Sequence, residues 1–432
     1  LPISAVGLGN IWRFPYLAGE NGGGAFVLVY LLCVGVVGLP IMVAEILIGR
    51  RGRSNPMDAM AALAQESHAS PHWRWVGLVG VVTGALILSF YSVVGGWTLA
   101  YLDHAVRGEL ANLDAAGAQA LLAGLFADPW SLLGWHSVFM AAVLVVSARG
   151  VEGGLDRAAQ VLMPGLLIML LALVGYGTVS GHFGDAARFM FTPDFSRLNG
   201  QTVLLAMGQA FFSLSLGMGA IMIYGSYLGA GASIARLSLT VIAADTAVAV
   251  LAGLAVFPVV FANALSPGQG PGLVFVTLPL GFMQMPGGAV FAAVFFAMLA
   301  VAAWTSAISL LEPAVAWLSE RHGLGRRTAV WTAGGVTWAL GIVSVLSLNV
   351  WSGHRVAGRT AFDLLDYVTN NLLLPLGGMA VALFAGWALD RAVTAAEVGV
   401  GSGPYRVWRV LVRYVAPLAV GAVLVGELAG TG

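Results

Sequence analysis

Eleven long apolar runs, separated by short polar stretches, make up most of this chain. The runs lie approximately at 1–20, 24–49, 76–102, 134–148, 159–179, 203–229, 236–263, 288–318, 328–348, 364–389 and 406–428. About 20 apolar residues are enough for a helix to cross a bilayer. Only 9% of the 432 residues are charged, whereas a soluble domain has roughly 25%. We therefore expect an all-α membrane protein with about 11 transmembrane helices.

The distribution of arginine predicts how the chain is oriented in the membrane. All 20 basic residues are arginine, and they balance 20 acidic residues, so no net charge indicates a nucleic-acid partner. Basic residues concentrate in cytoplasmic loops. Apart from Arg13, which lies inside the first run, an amino terminus in the cytoplasm would leave 14 arginines inside and five outside. We therefore predict a cytoplasmic amino terminus and an external carboxyl terminus.

Two of the apolar runs are interrupted by residues that disfavour a regular helix. Residues 4–10 read SAVGLGN and are followed by IWRFPY, and residues 213–219 read SLSLGMG. Broken helices in corresponding positions of two halves are typical of transporters with inverted repeats, and unwound backbone can bind ions there. Glycines that only permit close helix packing are the alternative. Asn10, Gln209, Ser213 and Ser215 argue against it, since unpaired polar groups are costly in hydrocarbon.

These interrupted runs also carry a resemblance to a known family. Residues 7–30 read GLGNIWRFPYLAGENGGGAFVLVY, and residues 208–227 read GQAFFSLSLGMGAIMIYGSY. Both closely resemble the neurotransmitter:sodium symporter family. Residues 89–101, 303–313 and 362–378 extend the resemblance over nearly the whole chain. It implies the leucine-transporter fold of the bacterial amino-acid transporters, in the bacterial inner (plasma) membrane.

The family fold consists of two five-helix inverted repeats whose first and sixth helices are broken. By resemblance, the first repeat covers residues 1–179, the second covers 203–389, and an additional helix covers 406–428. The first helix is expected to be truncated, since Leu1-Pro2-Ile3 stands where the family has the middle of that span. Its cytoplasmic half would then be missing from this sequence.

The resemblance implies two sodium sites built from oxygen ligands, which hard cations prefer. The first is expected to combine the substrate carboxylate with Ala5, Asn10, Ser213 and Asp245. The second is expected to use Ile3, Val6, Ala302, Thr305 and Ser306. Taken without the resemblance, the two hydroxyl side chains would more often bond to carbonyls of their own helix.

Asp245 is expected to make chloride unnecessary. Chloride-dependent relatives bind an anion near the first sodium, whereas this chain resembles bacterial members in which a carboxylate supplies the charge. Tyr30, Gln209 and Ser213 match the other positions around that anion, while Ala249 has no group to bind it. An Asp245 that only hydrogen-bonds helix backbone is the alternative. Sodium ions, two in number, are thus the expected cofactors.

By resemblance, Arg13 and Asp366 should pair above the substrate as an outer gate. Charges inside a membrane protein generally pair with one another. A static structural ion pair is the alternative, and Asp363, on the same helix as Asp366, is a rival partner. Three glutamates are expected to brace the bundle or its backbone outside the site: Glu20, Glu45 and Glu312.

The expected substrate pocket is mainly apolar and comprises Ala5, Leu8, Gly9, Ile87, Tyr91, Phe212, Ser213, Ser215, Met218, Ser306 and Leu310. Gly7 stands where monoamine-transporting relatives have an aspartate, which favours an amino acid whose own carboxylate meets sodium. The apolar side chains favour a large apolar substrate. Tyr91 would either bind the carboxylate or pack as an ordinary aromatic residue. Gly154 and Pro164 resemble a family motif that unwinds the fifth helix, with ordinary kinking as the alternative.

The expected function is import of a neutral, large apolar amino acid by sodium-coupled alternating access. A channel is a rival, and so is a sensor that binds the amino acid with sodium but transports poorly because its first helix is incomplete. A membrane enzyme is not expected, because no HExxH, GxSxG or cysteine–histidine cluster occurs. The expected partners are the amino acid, sodium and the lipid bilayer, with no nucleic acid. The sequence leaves the oligomeric state open.

Overall fold

The computed structural model describes residues 7–111, 113–150, 155–179, 181–268 and 270–428. Within these ranges every regular secondary-structure element is a helix. A π-helical turn, Gly9–Arg13, leads into α1 (Phe14–Glu20). The others are α2 (Gly24–Gly52), α3 (Pro56–Glu66), α4 (Pro71–Val106), α5 (Ala115–Ala127), α6 (Pro129–Arg149), α7 (Leu155–Val179), α8 (Phe183–Phe191), α9 (Gly200–Ser213), α10 (Ala220–Ser226), α11 (Ile234–Ala262), α12 (Gly270–Met283), α13 (Gly288–His322), α14 (Arg326–Ser347), α15 (Ala361–Ala388), α16 (Arg391–Val398) and α17 (Ser402–Gly426).

The prediction of an all-helical membrane bundle is confirmed. Among the described residues, eight helices are long and apolar enough to cross a membrane, namely α2, α4, α6, α11, α13, α14, α15 and α17. A ninth span results if α7 and α8 are counted together across a bend of 113°. The first and sixth predicted runs consist of shorter pieces. The total of 11 spans and the division into two repeats therefore stay predictions.

The long helix α4 lies at the centre of the bundle, where it packs against α6, α13 and α14. On another side, α2 packs against α10 at backbone distance. A side chain at Gly49 would overlap the Met222 carbonyl, and one at Gly225 would approach the Ile46 carbonyl to 2.7 Å. Membrane helices use such small residues because van der Waals packing has to replace the hydrophobic effect. This contact fixes α10 beside the break that precedes it.

The sixth predicted run is broken as the sequence indicates. Helix α9 ends at Ser213 and α10 begins at Ala220, and the residues between them are not helical. Three residues there have positive φ, Ser215 (56°), Gly217 (78°) and Gly219 (77°). The free N–H of Gly217 donates to Glu45 Oε1 at 2.7 Å, inside the protein. Glu45 therefore braces the break, because a buried N–H has to find an acceptor.

The uncharged segment 264–287, on the predicted outer side, packs against α1 and the π-helical turn before it. The Trp12 indole N–H donates to the Pro271 carbonyl at 2.7 Å. Gly19 lies so close to Pro267 that a side chain there would overlap the Pro267 carbonyl. Helix α12, which forms most of this segment, is buried from Leu273 to Phe282. The segment is thus packed into the bundle rather than extended into solvent.

We predict that Gly49→Ala destabilises the protein by about 1–3 kcal/mol, because its methyl group would press α2 away from α10. Gly35→Ala is the matched control, since it changes the same helix at a position with no atom within 4 Å. Thermal unfolding of the purified variants in detergent measures both. Equal midpoints for the two variants would show that the α2–α10 contact is looser than described.

Candidate functional site

The centre of the site is a carboxylate that meets both broken runs. Asp245 comes from the middle of α11 and is completely buried. Its oxygens accept hydrogen bonds from the Asn10 amide (2.7 Å), the Ser213 hydroxyl (2.7 and 2.8 Å) and the Tyr30 hydroxyl (3.3 Å). Asn10 belongs to the π-helical turn and Ser213 is the last residue of α9. Three predicted side-chain ligands of the first sodium thus lie in one cluster.

All protein partners of this carboxylate are neutral. No arginine or histidine of the described residues lies within ion-pair distance of Asp245. A buried charge without an opposite charge is strongly unfavourable. The Asn10 amide nitrogen also faces the Asp245 backbone carbonyl (2.9 Å) and the Ser213 hydroxyl (3.1 Å). If the Asn10 side-chain amide rotated by 180°, its oxygen would face these same oxygens of Asp245 and Ser213. The position between them would then be rich in oxygen ligands and suited to a hard cation.

Hydrogen bonds hold the first described residues of the first run in position. The Gly7 N–H donates to Asn10 Oδ1 at 3.2 Å, and the Leu8 N–H donates to the Tyr91 hydroxyl at 3.4 Å. The Gln209 amide donates to the Gly9 carbonyl at 2.9 Å. Side chains from α4 and α9 therefore hold the start of this run, and the Gly9 carbonyl accepts both from Gln209 and from the Phe14 N–H of the π-helical turn.

A small cavity lies directly beside the carboxylate cluster. It has a volume of ≈ 30 Å³ and is lined by the predicted residues Gly9, Tyr91, Phe212, Ser213, Ser215, Met218, Ser306 and Leu310. Gly7, Asn10, Ala220 and Ser309 also line it. Since a buried water takes up about 10–15 Å³ of such volume, an amino acid would enter only if side chains such as Phe212 and Met218 moved apart.

Some predicted pocket residues fall elsewhere. Leu8 and Ile87 are buried in the hydrophobic core and do not line the cavity. Ala220 and Ser309 were not predicted, although the spacing gave a signal for Ser309, which follows Ser306 by three residues and so shares its helix face. Ala5, Ile3, Val6 and Gly154 lie outside the described residues. Pro164 is described and stands inside α7.

The residues predicted for a second sodium have a simpler arrangement. The Thr305 hydroxyl donates to the Ala302 carbonyl of its own helix at 2.9 Å. This is the bond that threonine commonly makes in a membrane helix. The Ser306 hydroxyl lies next to Gly7 and near the Tyr91 hydroxyl. The oxygens of Ala302 and Thr305 are thus adjacent, and Ser306 lies at the substrate cavity.

A charged layer covers the cavity on the predicted outer side. The Arg13 guanidinium, fully buried, forms a two-point ion pair with Asp366, with N–O distances of 3.2 and 3.1 Å. It also donates to Gln209 Oε1 at 2.8 Å and lies 5.2 Å from the centre of the Phe212 ring. Phe212 in turn lines the cavity. The ion pair is therefore separated from the cavity by one aromatic ring.

Asp363, the other candidate partner of Arg13, caps a helix instead. It forms a capping box with Thr360 at the start of α15, which fixes the beginning of that helix. Asp366 follows one turn later and is also bound by the Asn370 amide at 2.7 Å. Asn370 lies in the π-helical turn Val368–Leu373, and Arg13 ends the turn Gly9–Arg13. Arg13 thus ends one π-helical turn, and Asp366 lies two residues before another. Such turns are common at functional sites.

We predict that Asp366→Asn destabilises the protein by about 3 kcal/mol, because it leaves the buried guanidinium without an opposite charge. The control Asp363→Asn removes the same charge from the same helix and should cost only about 1 kcal/mol, the value of a helix cap. The loss of stability of each purified variant is measured by thermal unfolding. A larger loss for Asp363→Asn would mean that the assignment of the pair is wrong.

Comparisons with known proteins are consistent over nearly the entire chain. The sequence profile of the Sodium:neurotransmitter symporter family matches residues 3–116 and 129–430. The uncharacterized sodium-dependent transporter YhdH of Bacillus subtilis is 37% identical over 96% of this chain and 92% of its own length. An uncharacterized sodium-dependent transporter of Haemophilus influenzae is 32% identical over 98% and 95%, respectively.

A solved structure gives the same answer for the fold. The crystal structure of MhsT in complex with L-phenylalanine superposes with a TM-score of 0.94, at 41% identity, over 98% of this chain and 96% of that one. The broken helices and the all-helical bundle described above agree with this similarity. The sequence profile, the relatives and the structure together show that this chain belongs to the sodium:neurotransmitter symporter family.

Proposed function

We propose that the protein imports a neutral amino acid with a large apolar side chain by symport with two sodium ions. The observation that carries this proposal is the buried Asp245 carboxylate, which has three neutral hydrogen-bond donors and no basic partner in the described part of the chain. A cation at this position would offset the charge. The dependence on sodium is a property of the family.

The proposed first sodium site lies where the two broken runs meet. Asp245, Ser213 and the Asn10 amide supply side-chain oxygens, and Ala5, outside the described residues, would supply a carbonyl. A dehydrated sodium ion prefers several such hard oxygens. The substrate cavity also contacts Asn10 and Ser213. A substrate carboxylate can therefore complete the ion's shell, and sodium and substrate then stabilise each other.

A second sodium is proposed beside Ala302, Thr305 and Ser306. The carbonyl of Ala302 and the hydroxyl of Thr305 lie together on α13. The remaining ligands would come from Ile3 and Val6, which precede the described residues. An ion here would link α13 to the first run, so its release can be coupled to a change in their packing.

The side-chain preference follows from the cavity walls. Phe212, Met218 and Leu310 are apolar, and flexible methionine can adapt to substrates of different shape. The similar protein MhsT was crystallised with L-phenylalanine, which supports an apolar amino acid here. The Tyr91 hydroxyl accepts from the Leu8 N–H and lines the cavity, which supports a role in binding the substrate carboxylate.

The Arg13–Asp366 pair is proposed as the outer gate. The Arg13 guanidinium lies over the Phe212 ring, and Phe212 in turn lines the cavity. In the described conformation the pair is closed. Opening would have to separate the two charges and expose them to water. The proposed location is the bacterial inner membrane, with a cytoplasmic amino terminus and an external carboxyl terminus.

Uptake by purified protein in vesicles tests the proposal directly. Saturable uptake of labelled phenylalanine that accumulates under an inward sodium gradient, and not under a potassium gradient, is expected. Binding without uptake would favour the sensor, and equilibration without accumulation would favour the channel. Either result would contradict symport.

We predict that sodium and substrate tighten each other's binding by the same factor, as linkage requires. Asn10→Leu removes an amide that touches both the ion position and the cavity, so it should weaken both affinities by at least about tenfold, or about 1.4 kcal/mol. Thr98→Val is the control, since its hydroxyl bonds only to the Gly95 carbonyl of its own helix. Calorimetric titration in sodium and in potassium measures the coupling. Equal substrate affinity in the two salts would rule out a shared ion–substrate site.

We predict that transport persists when chloride is replaced by gluconate, because Asp245 supplies a fixed negative charge. Asp245→Asn should lose uptake or require an added anion. The control Asp363→Asn should keep the chloride independence of the unchanged protein, since it acts at a helix cap. Uptake in the two salts measures this. A chloride requirement of the unchanged protein would show that the role given to Asp245 is wrong.

A further inference from the structure

An apolar groove lies on the predicted cytoplasmic half of the molecule, away from the transport site. It is formed by α2, α11, α17 and the segment after α16, and has a volume of ≈ 270 Å³. Its walls include Pro40, Val43, Leu239, Val398 and Trp408, with no charged residue among them. The Trp408 indole N–H donates to the Pro40 carbonyl at 3.0 Å, which ties α17 to α2 at the base. The groove is thus a fixed feature of the fold.

A second apolar hollow, open and lined by α17 alone, adjoins the groove. It has a volume of ≈ 520 Å³ and is lined by Gly403, Arg406, Val407, Val410 and Leu411. Val407 and Leu411 also line the groove. These two side chains form a ridge on α17 with an apolar channel on each side. Arg406 stands at the end of α17 where the helix begins.

The charges around this ridge are positive and unpaired. Arg406 and Arg236, the residue after groove residue Ala235, are exposed. Neither has an ion-pair partner among the described residues, and neither do Arg391 and Arg409. Arg409 donates only to the hydroxyls of Thr394 and Tyr405. These arginines therefore keep their full positive charge.

The acidic residue next to the groove is already neutralised. Glu397 precedes groove residue Val398 and pairs with Arg50 at 2.7 Å and with Arg51 at 3.4 Å. Arg51 also pairs with Glu66, whose pKa it lowers from its ordinary value by hydrogen bonding. Glu397 and Glu66 are thus held by Arg50 and Arg51, and exposed Asp390 is outnumbered by the nearby Arg236, Arg391, Arg406 and Arg409. A net positive field remains at the mouth of the groove.

We infer that this surface binds one anionic phospholipid of the surrounding bilayer. Its two acyl chains would lie on either side of the Val407–Leu411 ridge, and its phosphate between Arg236 and Arg406. Two apolar channels that share one positively charged end match two chains joined to one anionic head group. Basic pockets between membrane helices on the cytoplasmic side are known to favour such head groups. The lipid would hold α17 against α2 and α11.

The test measures lipid affinity in a protein that is otherwise intact. Delipidated protein is equilibrated in mixed micelles with phosphatidylglycerol or with phosphatidylcholine, and bound lipid is counted by mass spectrometry. The variant Arg236→Gln with Arg406→Gln removes the two proposed contacts. Arg149→Gln with Arg327→Gln is the matched control, since it removes two exposed arginines of the same predicted side that line neither the groove nor the hollow and have no ion pair within the described part of the chain.

We expect one phosphatidylglycerol per chain to be retained in preference to phosphatidylcholine. The groove variant should bind it about thirtyfold more weakly, from about 1 kcal/mol per arginine, while the control stays within about twofold.

Val407→Trp, which alters only the exposed ridge, should reduce binding of both lipids. Equal retention of the two lipids, an unchanged preference in the groove variant, or displacement of the lipid by inorganic phosphate alone would overturn the proposal. A stable dimer that covers Val407 would also overturn it.

Discussion

The buried charge of Asp245 is the constraint on which the rest of the site depends. A carboxylate deep in a membrane bundle costs free energy unless an opposite charge or several donors stabilise it. This protein surrounds it with an amide and two hydroxyls, which stabilise but do not neutralise the charge. In the proposed mechanism this remaining negative charge attracts a sodium ion. The same charge would take the place of a bound anion, so the proposed cation binding and the proposed chloride independence both rest on one residue.

The broken helices bring the required oxygens to that charge. Asn10 lies near the start of the described part of the first run, and Ser213 ends α9 immediately before the break at 214–219. Tyr91 and Gln209 bond to backbone groups of the first run, and Glu45 accepts from the Gly217 N–H within the break. The Arg13–Asp366 pair closes the region from above through Phe212. The proposed ion position, the cavity and the proposed outer gate thus lie on adjacent residues of the same segments.

Much of the fold could be predicted from the sequence. Long apolar runs indicate helices that cross the bilayer, and a glycine-rich interruption of such a run indicates a break in the helix. SLSLGMG correctly indicated where α9 ends and α10 begins. Tertiary packing was harder to predict. Ile87 is buried without lining the cavity, and Ser309 lines it, since both depend on how α4 and α13 rotate against each other. The sequence favours Asp366 as the partner of Arg13 by resemblance, and the structure shows that the rival Asp363 is instead used in a capping box with Thr360.

The most direct test of sodium-coupled symport is the reversal potential of substrate flux in vesicles. Sodium is held at a fixed gradient, and the substrate gradient is varied. With two sodium ions per neutral amino acid, a tenfold change in the substrate gradient should shift the reversal potential by about 30 mV, half of the roughly 59 mV of a single charge. A shift of about 59 mV would mean one sodium ion per substrate. Flux that ignores voltage and the sodium gradient would contradict symport.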